Sequence, residues 1–264
     1  MIPIFKKNNQ LLCENYRPIS LLPIFSKIME KVMYIRMYNY LNINDLFYDC
    51  QFGFRANHST KHALISTVEY LKTHLDSGKL VGGIFIDLQK AFDTVNHKIL
   101  CEKLAYYGFR GKTIQLIESF LTNRKQFVSI NGFDSSKLNV QCGVPQGSTL
   151  GPLLFLIYIN DFRFCLKKSN ASHFADDTCI MYASEKLKTI ETVLNTDLKA
   201  ASEWLKANRL SLNVGKTKLL LFHSKHKKVL FDESYIKLNG TRLNPSTHVK
   251  YLGMFIDDNI SWDY

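Results

Sequence analysis

The sequence predicts an α+β fold in which an antiparallel sheet packs on helices. Segments with helix-spaced apolar residues alternate with short strand-like runs. Two such runs, 171–174 and 179–182, flank Asp176-Asp177 as the arms of a β-hairpin. Hydrophobic residues make up 46% of the 264, enough for a sizeable core in one large domain or two smaller lobes.

Taken in order, Ser26 is placed to cap a helix running toward Leu41, with Ile28, Val32 and Ile35 as its apolar stripe. Ser59 caps a second helix, in which Leu64, Val68, Leu71 and Leu75 recur before Gly78 ends the segment. The run 80–86 reads as a buried strand that delivers Asp87 to its end. Helices over 97–107 and 112–121 follow, punctuated by Gly108 and Gly111. Residues 126–131 and 138–141 read as strands, 143–148 as a turn-rich link, and 150–166 as a buried helix. Asn160, Asp161 and Arg163 interrupt that helix and set it apart from a membrane span. Past the acidic hairpin, 185–207 forms an amphipathic helix with Ile190, Leu194, Leu198 and Leu205 at core positions. Asn239-Gly240 marks a tight hairpin inside 235–243, and 248–256 reads as one further apolar strand. No repeat, low-complexity tract or linker marks a sharp domain boundary.

Lys and Arg total 34 against 23 Asp and Glu, a formal charge of +11 that predicts a polyanionic partner, nucleic acid first among them. The six cysteines, at 13, 50, 101, 142, 165 and 179, contain no C-x-x-C pair and read as reduced core residues. His58 with His62, and His223 with His226, lack the second ligand pair a structural zinc site needs. The N-terminus has no signal-peptide pattern, so an intracellular setting and no membrane partner are expected.

The chemistry concentrates in the acids. Side chains on a strand alternate between faces, so Asp176 and Asp177 can share a task only if they occupy a turn, and a third carboxylate must join them. Asp87 is the candidate. Hard oxygen ligands from separate parts of a chain are what a pair of Mg2+ ions roughly 4 Å apart requires.

Three stretches in succession, Phe85-Ile86-Asp87-Leu88-Gln89-Lys90-Ala91-Phe92-Asp93-Thr94-Val95, Gly143-Val144-Pro145-Gln146-Gly147-Ser148 and Phe174-Ala175-Asp176-Asp177-Thr178, resemble successive motifs of reverse transcriptases. The likeness is greater to the non-LTR retrotransposon branch, of the jockey and CR1 type, than to the retroviral one. Asn15-Tyr16-Arg17-Pro18-Ile19-Ser20-Leu21-Leu22 and Gln51-Phe52-Gly53-Phe54-Arg55 are similar to its upstream finger motifs. Leu212-Asn213-Val214-Gly215-Lys216-Thr217-Lys218 and Tyr251-Leu252-Gly253 are similar to its downstream ones.

The resemblance implies a right-hand polymerase. Its fingers would span approximately 1–80 and 96–138, its palm approximately 81–95 and 139–250, and the start of the primer-grip and thumb region 251–264, with endonuclease and full thumb absent. It implies that Asp87, Asp176 and Asp177 ligate two Mg2+ ions, Mn2+ being an alternative. Phe92 would lie under the incoming sugar and exclude a 2'-hydroxyl. Gln146 would contact the incoming nucleotide and template, and Arg17, Lys27 and Arg55 would meet the triphosphate or template backbone. Lys216 or Lys218 would protonate the leaving pyrophosphate, and Tyr251-Leu252-Gly253 would form the primer grip. The implied partners are an RNA template, a DNA primer and dNTPs, and the implied location is the nucleus. The competing readings are an RNA-dependent RNA polymerase, a group II intron or telomerase-type reverse transcriptase, and a catalytically inactive nucleic-acid-binding remnant of a mobile element.

Overall fold

The computed structural model describes residues 1–224 and 235–261; His226 and residues 262–264 of the expected primer-grip region lie outside them. The first half of the chain runs β1 (Ile2–Phe5), β2 (Tyr16–Ile19), α1 (Ile24–Ile43), α2 (Thr60–Asp76), β3 (Leu80–Ile86), α3 (His97–Tyr106) and α4 (Lys112–Leu121). Four two-residue strands follow, β4 (Lys125–Gln126), β5 (Ser129–Ile130), β6 (Phe133–Asp134) and β7 (Leu138–Asn139), then α5 (Gly151–Ile159). The rest comprises β8 (Asn170–Phe174), β9 (Asp177–Ser184), α6 (Leu187–Ala207) and β10 (Lys218–Phe222). It ends with β11 (Lys237–Leu238), β12 (Thr241–Arg242), β13 (His248–Tyr251) and β14 (Met254–Asp257). None of the helices among the described residues is long and apolar enough to cross a membrane.

These elements form two compact units. One comprises Met1–Phe47 and Lys90–Ile159. In it β1 pairs antiparallel with β2, and α3 packs against both α4 and α5. All of α5 except Pro152 is buried.

Helix α1 departs from the expected pattern. Pro23 rather than Ser26 stands at its N-cap, and the Ser26 hydroxyl donates to Glu30 Oε1 at 3.2 Å from within the first turn. Ile28, Val32 and Ile35 are exposed, whereas Glu30, Met37 and Leu41 are buried. The reason is electrostatic. Glu30 Oε2 accepts the N–H groups of Thr149 at 2.7 Å and Leu150 at 3.1 Å, just ahead of α5, where backbone donors have no helical acceptor. Glu30 sits about 200° around the helix from Ile28, so satisfying those donors turns the apolar stripe outward.

The other unit comprises Tyr48–Gln89 and Asn160–Tyr264. Its centre is a four-stranded antiparallel sheet in the order β10-β3-β9-β8. On one face α6 lies on bare backbone: a Cβ on Gly82 would stand 2.5 Å from Ile190 Cγ2 and 2.6 Å from Leu194 Cδ1. The other face carries Val81, Phe85, Met181 and Phe222, packed with Leu64 and Leu71 of α2 and with Tyr251. Ser59 caps α2 as expected, accepting the His62 N–H at 3.4 Å, and the expected α6 core positions are all buried.

Asn239 and Gly240 both take positive φ, 51° and 83°, and join β11 to β12 in a two-residue turn of the kind their sequence predicts. The expected single strand over 248–256 is instead a second hairpin, β13 with β14. Leu252 at φ 49° and Gly253 at φ 90° turn the chain between Tyr251 and Met254. The expected helix over 150–166 is α-helical only to Ile159 and continues as a 3-10 segment, Asn160–Cys165. Of the six cysteines only Cys179 is buried; Cys13 and Cys142 are exposed, because burial of a thiol depends on the face it occupies, not on the hydropathy of its neighbours.

One carboxylate organises a whole loop. Asp197, 1% exposed on α6, accepts the N–H groups of Lys167 at 2.9 Å, Lys168 at 3.1 Å and Ser169 at 2.7 Å. Burial alone would raise its pKa, but hydrogen bonding from the 167–169 segment outweighs that and holds it below the usual carboxylate value. Asp197→Ala strands three donors and should lower unfolding free energy in urea by about 2–3 kcal/mol. A depressed carboxylate contributes its stability above the unfolded pKa and loses it as pH falls through the folded one. The gap between wild type and variant should therefore shrink below about pH 4. A constant gap from pH 7 to pH 3 would contradict this.

Candidate active site

Strand register assembles the acids. Ile86, the last residue of β3, pairs with Thr178 of β9, so Asp87 follows the one and Asp177 precedes the other at the same sheet end. Phe174 pairs with Asp177, leaving Ala175-Asp176 as the two-residue turn between β8 and β9. The expectation that both aspartates occupy the turn therefore holds for Asp176 alone; Asp177 opens β9. Ala175 takes φ 57°, the left-handed region that lets so short a turn close.

The electrostatics follow from this crowding. Asp177 is open to solvent on its outer side, yet its carboxyl is pushed up to about 6, first by desolvation and then by the charges of Asp176 and Asp87. Lys216 supplies a counter-charge: its Nζ lies 3.7 Å from Asp87 Oδ2, with side-chain exposures of 71% and 40%. The loop carrying it is tied to the backbone around Asp87. Asn213 N–H donates to Asp87 O at 2.9 Å, Gln89 N–H donates to Ser211 O at 2.8 Å, and Asn213 O accepts from Lys216 and Thr217. Lys218 instead opens β10 opposite Phe85 and is exposed. Geometry thus separates two lysines that the sequence left equivalent. Asn213 is a residue that sequence reasoning quoted without a role; only the strand pairing reveals it.

Among the described residues no three His, Cys, Asp or Glu side chains close into a ready-made metal cage. Three hard oxygen donors nevertheless share one sheet end, and desolvation followed by the charges of Asp176 and Asp87 raises Asp177. Mg2+ typically takes one or two protein carboxylates, with water and phosphate oxygens completing its shell, so this donor set fits such an ion.

The remaining expected residues lie as follows. In the unit containing α3 to α5, Phe92 is half-buried and stacks on the buried Phe155, with ring centroids 4.4 Å apart and planes 23° from parallel. The 143–148 turn docks there through Val144 N–H to Phe92 O at 2.8 Å and Gly143 N–H to Val95 O at 2.8 Å. Gln146 Nε2 donates to Asp93 Oδ1 at 2.8 Å, and Gln146 O accepts from Ser20 N–H at 2.8 Å. Its carboxamide is therefore held, and Asp93, six residues beyond Asp87, is the partner that holds it, a contact not legible in the sequence. Gln146 and Asp93 line a cavity of about 370 Å3 whose cations are Lys90, Arg124 and Lys125. Arg17 on β2 and Lys27 on α1 are exposed and do not line it. Arg55, in the sheet-containing unit, directs Nη1 to the carbonyls of Tyr48 at 3.0 Å and Gln51 at 3.3 Å, bracing its own loop.

The raised Asp177 has a measurable consequence. An acid whose folded pKa exceeds its unfolded value destabilises the fold above the folded pKa and leaves it unaffected below the unfolded one. In metal-free buffer Asp177→Asn should raise Tm at pH 7.5, and the gain should fade as pH drops through 6 toward 4. Added Mg2+ should narrow the gain at pH 7.5 by neutralising the wild-type cluster. A variant no more stable than wild type at pH 7.5 would contradict the crowding.

Comparison with known proteins accords with this geometry. A model of the family described as reverse transcriptase (RNA-dependent DNA polymerase) matches residues 4–256. The chain is 31% identical over 258 residues to the probable RNA-directed DNA polymerase from transposon X-element of Drosophila melanogaster, covering 94% of this chain and 27% of that protein. It is 31% identical over 274 residues to the RNA-directed DNA polymerase from mobile element jockey of Drosophila funebris, covering 99% of this chain and 29% of that protein. The chain thus spans under a third of the length of these relatives. Among solved structures, apo telomerase from Candida tropicalis superposes with a TM-score of 0.59 at 15% identity, covering 89% of this chain and 45% of that one. At that identity the likeness speaks to the fold alone, which is the α+β right-hand polymerase fold. With the motif order, the acidic sheet end and a family match over nearly its whole length, the chain belongs to the reverse transcriptase (RNA-dependent DNA polymerase) family and is similar to its members from mobile elements of the jockey type.

Proposed function

We propose that this chain is the polymerase portion of a non-LTR retrotransposon reverse transcriptase, extending a DNA 3'-hydroxyl with dNTPs on an RNA template and releasing pyrophosphate. The observation that carries the reading is the register that sets Asp87 and Asp177 at one sheet end, with Asp176 in the adjoining turn. Asp87, Asp176 and Asp177 would hold two Mg2+ ions, or Mn2+. Such ions, when bound, supply Lewis-acid activation of the attacking oxygen and charge neutralisation on the phosphates.

The chain's own residues then divide the work. Lys216, 3.7 Å from Asp87, carries a proton on Nζ at the acidic end and is the better placed of the two lysines to give it to pyrophosphate. Phe92, backed by Phe155, presents a rigid ring for the sugar of the incoming nucleotide. Gln146, oriented by Asp93, offers its carboxamide oxygen toward the nascent pair. Lys90, Arg124 and Lys125 are suited to a phosphate backbone, and Arg17 and Lys27 add exposed cations. The formal charge of +11 supports a nucleic-acid partner. We assign fingers to approximately 1–80 and 96–138, palm to 81–95 and 139–250, and the start of the primer-grip region to 251–264, with the nucleus as the working location.

Primer extension on poly(rA)/oligo(dT) tests the reading: dTTP should be incorporated and UTP should not. Asp176→Asn should lower extension by roughly a thousandfold, about 4 kcal/mol, while leaving affinity for the primer-template within about twofold. Extension that survives this change would remove Asp176 from the site, and a wild type that binds without extending would favour an inactive remnant.

Phe92 separates the reverse transcriptase from an RNA polymerase. Phe92→Val should open room for a 2'-hydroxyl and raise kcat/KM for UTP relative to dTTP by about tenfold, equivalent to 1.4 kcal/mol. Because the ring is half-buried, folding should survive better than the 3–5 kcal/mol loss typical of a fully buried Phe cut to Ala. An unchanged dTTP/UTP ratio in a folded, active variant would refute the gate.

A further inference from the structure

The loop preceding α2 meets the acidic turn through backbone. His173 N–H donates to Cys50 O at 2.8 Å and Phe52 N–H donates to His173 O at 2.8 Å, so residues 50–52 add a short parallel edge beside β8. This places the Gln51 side chain, in a residue only 2% exposed, against the turn. Its Oε1 accepts two N–H groups, from Gly53 at 2.8 Å and from Ala175 at 3.1 Å. Ala175 is 4% exposed, and in a two-residue hairpin the first turn residue's N–H points away from the ladder, so water and the sheet are both poor acceptors for it. Gly53 supplies the clearance: a Cβ there would stand 2.3 Å from Ala175 N and 3.0 Å from Ala175 Cα. A buried amide oxygen thus holds the left-handed Ala175, and the next residue is Asp176.

We propose that Gln51 is a positioning residue of the acidic site: its carboxamide oxygen, brought close by Gly53, fixes the Ala175 turn and so sets where Asp176 presents its carboxylate. The positioning role rests on the reading of Asp176 as a metal ligand; the hydrogen bond itself does not. Gln51 touches neither substrate nor metal. A side chain of similar length without an acceptor should keep the volume and lose the aim.

Two measurements test it. By amide hydrogen exchange, Ala175 in the wild type should be as slow as the ladder amides of β9, although it pairs with no strand. In Gln51→Met it should exchange at least tenfold faster while Leu220, in β10, is unchanged. Fast exchange at Ala175 in the folded wild type overturns the proposal without need of a variant. By calorimetric titration with Mn2+ alone, Gln51→Met should bind about tenfold more weakly than wild type, and Asp176→Asn should lose binding. Equal Mn2+ affinity in wild type and a folded Gln51→Met protein, with Asp176→Asn impaired, overturns the proposal and spares the reading of the site. A wild type that binds no Mn2+ overturns the reading of the site and the positioning role with it, and slow exchange at Ala175 would then mark a purely structural bond.

Discussion

The pairing of β3 with β9 is the constraint on which the site depends. Because side chains alternate along a strand, a slip of one residue would send Val81 and Phe85 to the α6 face and Gly82 into the opposite core. Neither face tolerates that. Gly82 lies where Ile190 and Leu194 press onto the backbone, and Phe85 fills the cluster with Phe222 and Tyr251. Packing on both faces fixes the register, and the register brings Asp87 and Asp177 together. The position of the acids is therefore a consequence of how apolar residues fill two opposite cores.

Two kinds of carboxylate in the molecule are distinguished by their surroundings. Glu30, Glu191 and Asp197 accept backbone N–H groups from loops or helix starts, and each is nearly inaccessible to water. They solve the problem of orphan donors. At the sheet end the acids stand close to one another instead. Asp177 is raised by desolvation and by two neighbouring charges, and Asp87 has a lysine whose side chain is mostly in water. In the first kind the backbone satisfies the charge; in the second, neighbouring charges raise its cost, which is the property the proposed metal site would use.

Much of this was legible in the sequence, and what was not has definite causes. The acidic hairpin, the strand leading to Asp87, the cap of α2, the core positions of α6, and the Asn239-Gly240 turn all rest on local rules, which act within a few residues. The errors came from partners distant in sequence. Periodicity placed Ile28, Val32 and Ile35 inside, but it cannot register that Glu30 is needed 119 residues away by Thr149. The split at Leu252-Gly253 was hidden because a leucine with positive φ carries no turn signal. Asp93, Asn213 and Gln51 are ordinary polar residues in sequence and acquire roles only from what the fold sets beside them.

The loose contact of Lys216 with Asp87 suits the role proposed for it. An ion pair 3.7 Å long with 71% of the lysine side chain exposed is held loosely, since solvent screens it and two flexible side chains resist ordering. A tight, buried pair would be expensive to break and would lock Asp87 to one partner. A loose one keeps the ammonium near the carboxylates and, on the proposed function, would let Asp87 exchange it for a harder, more highly charged cation. Lys216 would stay at the acidic end after such an exchange, because its loop is tethered there by the Asn213 N–H bonded to the Asp87 carbonyl. The backbone holds the lysine in range, and the weakness of the side-chain contact is what would permit the proposed action on a second partner.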